Sequence, residues 1–163
     1  MDTPIIRIAR PDDKPAIQDL TTRAFGQPDE AAIIRQLEKD GDVLLQVVAE
    51  LDGRIVGHVL FYLLGVRGRL SAAGLGPMRV DPWVQKHGVG KQLVNSGLSM
   101  MREGGVPIVF VLGHDWFYPK FGFTVQDTEP FQSRYKGPHF FAVRLRAGPP
   151  MSGELIFPRA FGD

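Results

Sequence analysis

Gln85-Lys86-His87-Gly88-Val89-Gly90-Lys91 joins two stretches of different periodicity, and the join decides how the chain folds. Ahead of it, Ser71 to Val80 reads as a β-run closed by Asp81-Pro82. Behind it, Val89, Leu93, Leu98 and Met101 recur at helical spacing with Lys91 and Arg102 outside. This helix stops at Gly104-Gly105. Val106 to Leu112 is then a continuous apolar run, the pattern of a strand covered on both faces. Strand, tight loop, helix and buried strand make a βαβ unit, whose strands are parallel and whose crossover is right-handed.

Outward from this unit the signals are shorter. Ile5 to Ala9 alternates as a strand, and Pro11-Asp12-Asp13 opens a helix expected over residues 12–25. After Gly26-Gln27-Pro28, a second helix over Asp29 to Lys39 carries Ile33, Ile34 and Leu37 and ends at Asp40-Gly41. Leu44 to Leu51 and Arg54 to Leu64 flank Asp52-Gly53, the strongest short hairpin signal, so part of the sheet is antiparallel. Phe140 to Leu145 and Glu154 to Phe157 are expected as late strands, separated by a turn at Gly148-Pro149-Pro150. The expectation is an α+β fold with a mixed sheet flanked by helices.

Composition narrows the function. The 163 residues suit one domain over 1–163, with 19 Lys and Arg against 18 Asp and Glu. Near-neutral charge argues against a nucleic-acid partner. Without cysteine there is no thiolate nucleophile, zinc finger or disulfide frame. His114 and His139 lack partners at ligand spacing, so no metal is expected. Met1-Asp2-Thr3-Pro4 does not open a signal peptide, and no run of about 18 apolar residues occurs. The expectation is a cytoplasmic protein with no membrane partner.

The loop has two readings, a plain strand-to-helix turn or an anion site. A helix N-terminus presents unpaired N–H groups at the positive end of its dipole. Gly88 and Gly90 remove the Cβ atoms that would hold a phosphate off the backbone, and Lys86, His87 and Lys91 add donors. Spacing rejects two nucleotide motifs. A dinucleotide fingerprint needs a small residue at Leu93, and a Walker loop needs Ser or Thr at Gln92 and Gly at Gln85.

Gln85-Lys86-His87-Gly88-Val89-Gly90 instead resembles the acyl-CoA loop of the GNAT N-acetyltransferase superfamily, Gln/Arg-x-x-Gly-x-Gly/Ala. Met78-Arg79-Val80-Asp81-Pro82 is similar to that family's fourth strand and its exit, and Tyr118-Pro119-Lys120-Phe121-Gly122-Phe123 to its C-terminal Tyr-x-x-x-Gly-Phe signature. The resemblance spans nearly the whole chain. It implies a GNAT fold, a mixed, largely antiparallel twisted sheet with splayed fourth and fifth strands flanked by helices, and acetyl-CoA or coenzyme A as cosubstrate. It further implies direct acetyl transfer to a primary amine of a small molecule or protein.

By the same resemblance, the cofactor-binding set is Met78, Arg79, Val80, Gln85, Lys86, His87, Gly88, Val89, Gly90 and Lys91. Tyr118 matches the family's general acid, and also suits a half-buried anchor for a short helix. No carboxylate stands on the fourth or fifth strand, leaving Glu30, Asp115 and His58 as candidate bases. Each has a structural reading too: Glu30 complements a helix dipole, Asp115 caps the short helix, and His58 is a core histidine. The family's frequent Asn after the fifth strand is replaced by Gly113-His114-Asp115. That gap, with the missing strand carboxylate, motivates the alternative of a non-catalytic acyl-CoA sensor. Trp83 and Trp116 are expected as packing or cleft lining, and Arg134, Lys136, Arg144 and Arg146 as a solvated face. Homodimerisation through the late strands is compatible with this arrangement.

Overall fold

The computed structural model describes residues 3–25, 28–68, 71–85, 87–148 and 151–162. Its strands are β1 (Ile5–Ile8), β2 (Val43–Leu51), β3 (Arg54–Val66), β4 (Ala72–Val80), β5 (Ile108–Leu112), β6 (Phe131–Gln132), β7 (Phe140–Arg144) and β8 (Gly153–Ile156). The helices are α1 (Lys14–Phe25), α2 (Pro28–Asp40) and α3 (Val89–Glu103). The sheet order is β1-β2-β3-β4-β5-β7, with β8 pairing β3 and β6. Every pairing along that order is antiparallel except β4–β5, the pair joined by the α3 crossover.

Asp52 and Gly53 both take positive φ, 52° and 77°, as the β2–β3 turn requires. Bounds shift from expectation for local reasons. β5 starts at Ile108 because Pro107 has no N–H to give a ladder; its carbonyl still accepts from Leu145. A 3-10 turn over Pro11–Asp13 precedes α1, and Asp13 accepts from the Arg10 N–H at 2.7 Å. β3 runs past Leu64 because Gly65 and Val66 find a late partner in β8. The short β6 was not foreseen, and β8 seats on β6 and β3 rather than on β7.

Two apolar layers cover the sheet. One face packs against α3 through Val89, Leu93, Val94, Leu98 and Met101. A Cβ on Gly97 would lie 2.3 Å from a ring carbon of Phe61, so the missing side chain is what lets α3 approach β3. The other face packs Val48, Leu60, Tyr62 and Leu64 against Ile17, Ile34 and Leu37 of α1 and α2. Arg7 fastens the β1 edge, reaching Asp13 at 2.7 and 3.0 Å and Glu50 at 2.8 Å.

Candidate active site

The β4–β5 ladder runs through Ala73↔Val109, Gly74↔Phe110 and Leu75↔Val111 and there it ends. β4 continues to Val80 on the arm of β3 alone, while the chain after Leu112 leaves as a loop. The strands therefore splay, as expected, and open a cleft of about 870 Å³. Its walls are the free edge of β4, the α3 N-terminus, and the segment 112–118.

Most of the expected cofactor set meets in this cleft. Met78, Arg79 and Val80 line it from β4, and Gln85, Gly88, Val89, Gly90 and Lys91 from the loop and helix. His87 is exposed and stands apart from the lining, and Lys86 lies outside the described residues. Gln85 has a task the sequence does not show: its Nε2 donates to the Val80 carbonyl at 3.1 Å, tying the loop to the strand end.

The loop meets the demands of a phosphate cradle. Gly88 caps α3 with φ 80° and no side-chain hydrogen bond, and the first amide to find a helical acceptor is that of Gln92, 3.0 Å from the Gly88 carbonyl. The amides ahead of Gln92 have no acceptor in the helix. A Cβ on Gly90 would meet Phe117, Val80 and Met78 only at 3.6–3.8 Å, an ordinary contact. Packing therefore does not demand glycine at 90, and the space its side chain would fill belongs to the cleft.

Tyr118 begins a 3-10 turn over Tyr118–Phe121, which ends at Gly122 with φ 93°. Its buried ring stands edge-on to Phe117 and Phe123, with centroids 5.0 and 5.8 Å away. A Cβ on Gly113 would lie 2.4 Å from the same ring, which explains glycine rather than asparagine there. Burial pushes the phenol up to about 12, and the positive charge of Arg79 opposes part of that shift.

Glu30 reaches the cleft from the first turn of α2, which begins at Pro28, and forms an ion pair with Arg79. The register explains the meeting. Met78 and Val80 pack with the α3 layer, so the alternating Arg79 emerges on the α1–α2 face opposite His58. Sequence reasoning took Arg79 for its backbone; the alternation along β4 carried the signal for its side chain. Burial lowers the affinity of that guanidinium for its proton, partly offset by the field of Tyr118. Arg79 Nη1 also donates to the Met78 carbonyl at 2.6 Å.

The other two candidate bases are not brought to the cleft. His58 is fully buried, its Nε2 sits 2.8 Å from Gln46 Oε1, and burial pulls its pKa down to about 4. Asp115 is exposed and absent from the lining, and it does not cap the turn that holds Tyr118, where Phe117 takes the cap position without a side-chain bond. Neither tryptophan packs in the core: Trp83 is 86% exposed and Trp116 66%. Trp116 lines the cleft, stacked on His114 at 5.1 Å. Among the described residues, no group of three or more His, Asp or Glu could hold a metal, and no helix is long and apolar enough to cross a membrane.

Splayed strands, a glycine-capped helix at their mouth and a buried tyrosine across the gap define an acyl-CoA-dependent transferase. Residues 5–126 match the family model described as acetyltransferase (GNAT) domain. The chain belongs to the GNAT acetyltransferases. It is 34% identical over 135 residues to the uncharacterized N-acetyltransferase YhbS of Escherichia coli K12, covering 82% of this chain and 81% of that protein. The crystal structure of E. coli YhbS in complex with CoA superposes with a TM-score of 0.89 at 30% identity, covering 99% of this chain and 93% of that one. A GNAT family acetyltransferase from Brucella melitensis in complex with acetyl-CoA gives 0.82 at 30% identity, covering 97% of each chain.

Proposed function

We propose that the protein transfers the acetyl group of acetyl-CoA directly to a primary amine, with Tyr118 as proton donor and Glu30 as proton acceptor. The observation that carries this reading is the convergence of Tyr118, Glu30 and the α3 N-terminus on one cleft. The solved relatives bound to CoA and acetyl-CoA support the choice of cosubstrate. Acetyl-CoA supplies an activated thioester.

The chain's own groups do the rest. Amides of the first turn of α3, with Lys91, take the pyrophosphate; the free edge of β4 at Met78 to Val80 aligns the pantetheine arm and offers N–H donors to the thioester oxygen. Glu30 removes one proton from the acceptor ammonium, leaving the neutral amine that attacks. The C–N bond forms, the C–S bond breaks, and the departing sulfur takes the Tyr118 proton while the second amine proton passes to solvent. A phenol at about 12 is a weak acid toward an ordinary thiolate of roughly 8.5. The same desolvation that raises Tyr118 raises a thiol held beside it, which brings the two closer. The absence of cysteine excludes a relay through a thiol of the chain and so supports direct transfer.

The test is thiol release from acetyl-CoA with a panel of amines, for the wild type and Tyr118→Phe. Removing a general acid costs about 10²–10⁴-fold in rate, while acetyl-CoA affinity measured by calorimetry stays near the wild-type value. Full activity in Tyr118→Phe overturns the acid role. Absence of acetyl-CoA binding overturns the whole reading.

A further inference from the structure

The Glu30–Arg79 ion pair bears on the acceptor. Both side chains are mostly shielded from water, and both stand in the cleft that holds Tyr118. An amine that attacks beside Tyr118 must draw on Glu30, and doing so takes the carboxylate away from Arg79. Withdrawing the Glu30 carboxylate from a shielded guanidinium is disfavoured. An acceptor that carries its own carboxylate removes the problem: its ammonium goes to Glu30 and its carboxylate to Arg79, so the Glu30–Arg79 contact is exchanged for two ion pairs with the acceptor. Because Glu30 and Arg79 touch directly, the arriving charges must be close together. In an α-amino acid, a single carbon separates the amine from the carboxyl group.

We propose that the acceptor is a free α-amino acid, recognised as a zwitterion by Glu30 and Arg79 acting as a divided charge pair. This rests on the amine-acetyltransferase reading above and adds the substrate class. Arg79 is a specificity-determining residue here: it binds the carboxylate and releases Glu30 for the proton. Protein N-termini, whose neighbouring group is an uncharged amide, fall outside this class. Simple amines and aminoglycosides do so too, since they bring no anion.

The experiment compares the proteinogenic L-amino acids with their carboxamides, which keep the amine and side chain and lose only the negative charge. Thiol release from saturating acetyl-CoA is followed for the wild type, Arg79→Gln and Arg79→Lys. For the best acceptor, the acid is expected to exceed its amide by about 100-fold in kcat/KM in the wild type. Arg79→Gln brings that ratio to within about threefold of unity, and Arg79→Lys restores part of it, since an ammonium keeps the charge without the fork. Thermal unfolding reports whether each variant is folded, and the wild-type comparison stands without any variant. Amides turned over as fast as acids, or an acid-to-amide ratio unchanged in Arg79→Gln, overturn the zwitterion proposal and leave acetyl transfer intact. No thiol release from either set, with acetyl-CoA bound, overturns both.

Discussion

Gly113→Ala tests whether the cleft depends on the placement of the Tyr118 ring. The added methyl would stand 2.4 Å from Tyr118 Cε2 and 2.9 Å from Cδ2, where ordinary contact begins near 3.4 Å. The ring must therefore move by about 1 Å, and it has little room, with Phe117 and Phe123 edge-on to it at 5.0 and 5.8 Å. A displacement of that size at a reacting group costs on the order of 100-fold in rate. Overpacking adds a stability loss of about 1–3 kcal/mol, or roughly 2–12 °C in Tm for a chain of this length. The assay is thiol release at saturating acetyl-CoA, with acetyl-CoA affinity by calorimetry and Tm by scanning calorimetry on the same sample. Gly137→Ala is the control, since its Cβ would meet nothing within 4 Å. A Gly113→Ala enzyme that turns over at the wild-type rate would refute the claim that this ring's position matters.

Other perturbations probe the frame around the site. Gly97→Val forces a side chain against Phe61 across the α3–β3 contact, where a Cβ alone would come within 2.3 Å. It is expected to lower Tm by more than the Gly113 change, read by thermal unfolding, because the obstacle is a fully buried ring between two packed elements. The Arg7 guanidinium holds the Asp13 carboxyl down at about 2 against its ordinary 3.8. A carboxyl depressed in the folded state stabilises above its unfolded pKa, so the contribution is complete above about pH 4 and is lost as pH falls to about 2. Asp13→Asn should therefore melt about 5 °C below the wild type at pH 6, with the two curves converging by pH 2.

The parts of the fold that local chemistry dictates were legible in the sequence. The Asp52-Gly53 turn, the amphipathic α3 and the apolar β5 each follow from a short pattern, and together they fixed the parallel β4–β5 pair. β6, two residues long, and the seat of β8 on β3 depend on partners far along the chain, and no local period marks them. The glycine loop ahead of α3 was legible for the same reason as α3: glycines, a helix start and their spacing lie within one short stretch. The charge pair was not. Glu30 and Arg79 meet because a helix in the first quarter of the chain crosses the face to which β4, after the register shift between Leu75 and Met78, turns Arg79, and only the assembled sheet shows that. Both tryptophans were open between packing and lining, and exposure at Trp83 shows that a large ring near a cleft need not enter it.

The account stands or falls on the α3 N-terminus as the seat of the pyrophosphate, and Gly90→Asp separates that role from folding. The nearest atoms to a Cβ at 90 lie at ordinary contact distance, so packing admits it, and an aspartate in the first turn of a helix favours the helix dipole by about 0.3–1 kcal/mol. The same charge repels a pyrophosphate brought to the same amides. Titration calorimetry of acetyl-CoA against wild type and Gly90→Asp at low salt, with Tm on each, is the direct measurement. The predicted result is one site per wild-type chain, affinity at least about tenfold weaker in the variant, and a Tm equal or higher. Unchanged affinity in a folded Gly90→Asp protein would contradict the account.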